Sequence, residues 1–82
     1  MTDRYIIIGR STCPFCVMAE DLLIAKEIPC VFLDYVEKPD ILEDYKQFHN
    51  QKTVPIILKN NISSGLTQRV GGYSDLLETL GE

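Results

Sequence analysis

The segment Cys13-Pro14-Phe15-Cys16 lies between an apolar run and a helical pattern, and that junction narrows the folds open to this chain. Before it, Tyr5-Ile6-Ile7-Ile8-Gly9 is β-branched, continuous and closed by glycine, the pattern of a short buried strand. After it, the residues from Pro14 to about Glu27 predict a helix. Proline suits the first helical position, where its missing N–H would be unpaired in any case. Cys13 then falls at the helix N-cap, where free backbone N–H groups and the positive end of the helix dipole favour a negative sulfur. A thiol so placed loses its proton more readily, and the thiolate is the nucleophile. Cys16 follows one turn later on the same face, within reach of a disulfide to Cys13. The junction reads as a redox site.

The rest of the composition sets bounds on this reading. A chain of 82 residues makes one domain, residues 1–82, with one small core. An apolar and aromatic content of 45% is ordinary for a folded chain and argues against disorder. No apolar run is long enough to span a membrane, and Met1-Thr2-Asp3-Arg4 lacks the layout of a secretory signal. Three cysteines in so short a chain could mark a secreted disulfide scaffold, but the number is odd. A CxxC beside a βαβ pattern fits a reducing cytosol better, so a cytoplasmic location is expected; a monomer is the separate expectation for the working form. A net charge of −4 argues against nucleic acid or an anionic membrane as the main partner.

Along the chain there is no repeat, low-complexity tract or linker. The first helix carries Phe15, Met18, Leu22 and Ala25 at helical spacing as its expected core stripe. Pro29 ends it, and Cys30-Val31-Phe32-Leu33 is a second strand running out at Asp34. Strand, crossover helix and strand make a right-handed parallel βαβ unit. Pro39 opens a second helix with Ile41, Tyr45 and Phe48 on one side. Val54-Pro55-Ile56-Ile57-Leu58 is the third strand, with proline at its start where no ladder bond is lost. Asn60-Asn61 and Ser63-Ser64-Gly65 turn the chain, so Leu66 to Val70 returns as an antiparallel edge strand. Gly71-Gly72 breaks that strand, and a final helix carries Leu76, Leu77 and Leu80. The order is βαβαββα, an α/β arrangement.

That order, with CPFC after the first strand, resembles a thioredoxin fold: a four-stranded mixed sheet flanked by three helices. Three separated signatures make the chain similar to the glutaredoxins: Gly9-Arg10-Ser11-Thr12-Cys13-Pro14-Phe15-Cys16, then Thr53-Val54-Pro55, then Gly71-Gly72-Tyr73-Ser74-Asp75-Leu76. Thioredoxin proper is a poorer match, its motif usually being Trp-Cys-Gly-Pro-Cys, and this chain has no tryptophan. The resemblance implies a small dithiol enzyme that reduces protein disulfides and glutathione mixed disulfides at the expense of glutathione. Ribonucleotide reductase is among the acceptors such proteins serve. It implies Cys13 and Cys16 as the catalytic pair and glutathione as co-substrate, with no metal.

The residues near the motifs acquire roles accordingly. Glutathione carries two carboxylates, so an acidic protein must hold it with local donors. Arg10, three residues before Cys13, can stabilise the thiolate and receive the glycine carboxylate. Thr53 and Val54 precede proline and are biased toward extended backbone. The resemblance implies a cis Pro55 and main-chain pairing of Val54 with the cysteine of glutathione, with Thr53 beside it. Gly72, Tyr73, Ser74 and Asp75 bring bare amides to a helix start, a site for the γ-glutamyl carboxylate, and Ser74 and Asp75 add side-chain contacts. Phe15 edges the active surface, Tyr73 lines the groove, and Gln51 is either a glycine-carboxylate contact or plain surface. Lys52 is the best placed of the remaining cations, whereas Lys59 and Arg69 read as solvated charges. Cys30 reads as a small buried hydrophobe and His49 as a solvated side chain.

Two rival classes are weaker. CxxC can be half of a zinc site, but Cys30 and His49 stand at no ligand spacing that would complete four ligands. A dimer bridging a [2Fe–2S] cluster through Cys13 and glutathione usually has Gly or Ser after the first cysteine, where this chain has Pro14. The segment from Pro55 to Gly71 is longer than usual for the family, which predicts an extended or bulged hairpin over 59–66.

Overall fold

The computed structural model describes residues 3–82; Met1 and Thr2, with which the N-terminal reading begins, lie outside the described residues. The elements are β1 (Asp3–Gly9), α1 (Pro14–Ala25), β2 (Cys30–Asp34), α2 (Pro39–Phe48), β3 (Ile56–Asn61), β4 (Thr67–Gly71) and α3 (Tyr73–Leu80). They form one four-stranded sheet in the order β2-β1-β3-β4. β1 runs parallel to β2, pairing Tyr5 with Cys30 and Gly9 with Asp34. It runs antiparallel to β3, pairing Ile8 with Ile56, and β3 is antiparallel to β4. The expected βαβαββα order and thioredoxin-like fold are what the chain adopts. No helix among the described residues is long and apolar enough to cross a membrane.

The unbroken isoleucine run of β1 follows from its central place, since a strand covered on both faces needs apolar residues at every position. Tyr5 and Ile7 join Ile57, Ala19, Leu23 and Leu76 under α1 and α3. Ile8 joins Ile56, Leu58 and Leu42 under α2 on the opposite face. The two cores share the sheet and close the domain from both sides.

Several boundaries and faces differ from expectation. α1 stops at Ala25, and Glu27 takes a positive φ of 57° as the chain turns into β2. Its buried face is Cys16, Ala19 and Leu23; Phe15 and Met18 of the expected stripe are 54% and 43% exposed, and Ala25 also faces solvent. The helix is apolar on several sides, so its spacing fits two registers, and the inward-pointing Cys16 selects this one. In α2, Leu42 is the residue that reaches the core, while Phe48, in the last turn, is 82% exposed. β3 begins at Ile56 rather than Val54, because Val54 and Pro55 form a loop of their own. The β3–β4 register shifts between Ile57 and Leu58, outside the 59–66 segment where the sequence predicts an extended or bulged hairpin; within that segment Lys59 pairs with Gln68 and Asn60 with Thr67 in regular register. The strands extend to Asn61 and from Thr67, and Asn61 Oδ1 accepts the Ser64 N–H at 2.8 Å to fix the turn.

Candidate active site

The redox turn hangs from the end of β1. Residues Arg10 to Thr12 carry the chain out of the sheet, and the Cys13 N–H donates to the Arg10 carbonyl at 3.1 Å. Asp34, at the end of the neighbouring strand β2, accepts the Ser11 N–H at 3.0 Å and the Val36 N–H at 3.1 Å. The Ser11 hydroxyl and N–H hold the Asp34 carboxyl below the ordinary carboxylate range. Cys13 is the N-cap of α1, in extended conformation, with Pro14 at the first helical position. Its carbonyl starts the helix, accepting the N–H of Cys16 at 3.1 Å and of Val17 at 3.2 Å.

The three cysteines are free thiols, and their surroundings divide the labour between the two in the motif. Partial burial pushes the Cys13 thiol up, but the Cys16 N–H, the Cys16 thiol, the Phe15 N–H and the Arg10 charge together outweigh it. The net effect is a Cys13 pKa below the ordinary value of 9.0. Cys16 is fully buried, and burial pushes its thiol up to about 12, with the neighbouring Cys13 adding to the rise. Gly9 makes that burial possible: a Cβ there would collide with the Cys16 sulfur. One sulfur is ionisable and accessible; the other is held protonated behind it. Cys30 is half-buried at the start of β2, its thiol raised by burial and by the Glu20 charge.

Beside α1 lies an open groove of about 570 Å³. One wall is Phe15 against Tyr73, ring centroids 5.9 Å apart, which ties the redox helix to the start of α3. The floor is Thr53, Val54 and Pro55, joined by a cis Val54–Pro55 bond. Among the described residues neither the N–H nor the C=O of Val54 finds an intramolecular partner. Gly72, Ser74 and Asp75 close the other side. The N–H groups at the start of α3 have no intrahelical acceptor, as at any helix start. The Gly72 N–H is an exception, donating to Asp75 Oδ2 at 2.9 Å. Gly71, at φ +122°, leaves the room Asp75 needs to fold back.

The structure thus brings nine of the residues chosen from sequence, from Phe15 to Asp75, around one groove beside Cys13. Arg10 stands outside it, exposed, and acts on Cys13 through its charge. Gln51 lines the groove with its donors already spent, its Nε2 bonding the carbonyls of Thr53 at 2.9 Å and Pro55 at 2.8 Å. It braces the loop. Lys52 faces a separate depression beside α2, and Lys59 pairs with Asp3 at 3.6 Å. Arg69, which sequence reasoning left among the solvated charges, lines the groove and donates from Nη1 to Gln51 Oε1 at 3.1 Å. The signal that finds it is strand alternation: Val70 packs into the α1 core, so Arg69 points to the other face. His49 is half-buried, stacked on Tyr45, with its pKa lowered by burial and by the Arg69 charge. No cluster of three His, Cys, Asp or Glu side chains is found among the described residues.

Comparison with known proteins places this arrangement. Among curated proteins no sequence match was found. The reduced glutaredoxin of Escherichia coli superposes with a TM-score of 0.69 at 29% identity, over 95% of this chain and 93% of that one. A dithiolic glutaredoxin of Trypanosoma brucei brucei gives 0.68 at 28% identity, over 94% and 78%. A buckwheat glutaredoxin–glutathione complex shares the fold, with a TM-score of 0.76 at 16% identity, over 96% and 69%. The glutaredoxin family model matches residues 5–62, from the first core strand through the redox turn and the cis-proline loop. The chain belongs to the glutaredoxin family and is built as a thiol-disulfide oxidoreductase.

Proposed function

We propose that this protein uses glutathione to reduce glutathione mixed disulfides and protein disulfides, with Cys13 as nucleophile and Cys16 as resolving thiol. The observation that carries the reading is Val54, whose N–H and C=O have no partner among the described residues, on the floor of a groove next to an ionisable sulfur. Backbone groups at such a place call for a partner, and an extended peptide supplies one by strand-like pairing. The N–H groups at the start of α3 suit the γ-glutamyl carboxylate. The buckwheat relative was solved with glutathione, which supports the same choice of ligand here.

In the one-cysteine branch, Cys13 thiolate attacks the glutathione sulfur of a mixed disulfide. A Cys13–glutathione bond forms, the old S–S bond breaks, and the substrate leaves as a thiolate that takes up a proton. A second glutathione thiolate then attacks that bond, giving glutathione disulfide and restoring Cys13. In the two-cysteine branch, Cys13 forms a mixed disulfide with a protein and Cys16 loses its proton and attacks the Cys13 sulfur. The protein departs as a dithiol, and two glutathiones reduce the Cys13–Cys16 bond. Glutaredoxin potentials of about −200 to −230 mV lie within reach of a cytosolic glutathione pool, which supports a cytoplasmic site of action. Ribonucleotide reductase is a proposed acceptor on family resemblance, and a monomer is the proposed working form.

Turnover of a glutathione mixed disulfide tests the assignment. Cys13→Ser abolishes it, whereas Cys16→Ser retains it and loses protein-disulfide reduction. Substantial turnover by Cys13→Ser overturns the roles. Incubating Cys16→Ser with cell extract traps the acceptor as a mixed disulfide.

A further inference from the structure

We infer that Arg69, tethered by Gln51 at the edge of the groove, recognises the glycine carboxylate of a glutathionyl group and selects such disulfides over ones lacking that charge. The inference rests on the glutathione reading above and adds to it the residue that takes the second carboxylate. Arg69 is the cation among the residues lining the groove. It is solvent-exposed and, among the described residues, has no ion-pair partner. Among the described residues its guanidinium makes one hydrogen bond, to a neutral acceptor, Gln51 Oε1 at 3.1 Å. A guanidinium carries five N–H donors, so the tether fixes its position and leaves most of the fork free for a carboxylate.

The tether is itself anchored. Both carbonyls that Gln51 Nε2 holds, Thr53 and Pro55, flank the Val54 backbone proposed to pair with the ligand. One side chain therefore sets the cation and the peptide-binding backbone in a common frame. The groove is polarised as a result. Arg69 on β4 supplies positive charge, while the start of α3 offers Asp75, already bonded to Gly72, together with its first-turn N–H groups. A γ-glutamyl head has an ammonium and a carboxylate that suit the α3 side. The remaining carboxylate, on glycine, suits Arg69, the cation among the lining residues, since Gln51 has no free donor.

The test compares two mixed disulfides of cysteine, one with glutathione and one with glutathione esterified on its glycine carboxylate. Glutathione is the reductant at fixed concentration, and product is measured by chromatography. The wild-type protein prefers the free acid in kcat/KM by roughly fivefold to tenfold, the range expected between an exposed ion pair and a charge-assisted fork. Arg69→Gln loses that preference, and Arg69→Lys retains part of it. A structural fault would lower both substrates together. Equal wild-type rates on the two substrates overturn the inference without any variant, and so does an Arg69→Gln protein that keeps the preference. Failure of the wild-type protein to turn over either substrate overturns the glutathione reading, and this one with it.

Discussion

The carboxylate of Asp34 accepts the N–H of Ser11 at 3.0 Å, joining the end of β2 to the turn that carries Cys13. The contact spans neighbouring strands of the sheet, since Gly9 pairs with Asp34 in the parallel β1–β2 ladder. It places the redox turn with reference to the sheet rather than to solvent.

Asp34→Ala releases that anchor and is expected to slow turnover of a glutathione mixed disulfide, whereas Asp34→Asn keeps an acceptor oxygen and most of the rate. Ser11 holds the Asp34 carboxyl below its ordinary 3.8, so the contact is present above that value and is lost as pH falls through the lowered one. Turnover of the wild-type protein from pH 7 down to about 4 should therefore show no break attributable to this group. Equal rates for wild type and Asp34→Ala would refute the anchoring role.

The two thiols should separate in alkylation. Cys13 titrates below 9.0 and is accessible, so iodoacetamide near pH 7 labels it first and its rate rises with pH until that lowered pKa is passed. Cys16, buried and held near 12, stays unlabelled in the folded protein throughout that range. Arg10→Ala removes a charge that favours the thiolate and moves the Cys13 profile to higher pH. Peptide mapping after brief labelling gives the answer, and modification of Cys16 at the same rate as Cys13 would contradict it.

Stability should follow the observed face of α1. Leu23 is fully buried, and Leu23→Ala is expected to cost about 2–5 kcal/mol. Met18→Ala, at a residue 43% exposed, should cost less than about 1 kcal/mol. Chemical denaturation measures both, and a larger loss at Met18 would restore the register expected from spacing.

The sequence was legible where one residue type admits one physical role. Strands showed as β-branched runs, helix starts as Pro14 and Pro39, and the redox turn as two cysteines three positions apart. Helix faces were less legible. α1 is apolar around much of its girth, and only the sulfur that must tuck beneath Gly9 fixes its rotation. In α2, the inward side runs through Leu42, Tyr45 and His49 at helical spacing, which leaves Phe48 facing solvent. The motifs drew in most of the groove, yet the parts played by Gln51 and Arg69 emerge only from pairing. Their bond joins residues eighteen apart in the chain, on two segments that only the folded chain brings side by side.

The pairing of Ile8 with Ile56 has a consequence for how this enzyme can change. The nucleophile extends from the top of one strand and the docking loop enters the top of its immediate neighbour. Their spacing is therefore dictated by ladder hydrogen bonds and not by any surface connection. The β3–β4 turn at residues 62–66 lies at the opposite end of those strands, beyond Asn61. Evolution or an engineer can rebuild that far end with the reactive geometry left intact, whereas a one-residue slip between β1 and β3 would pull sulfur and ligand out of line.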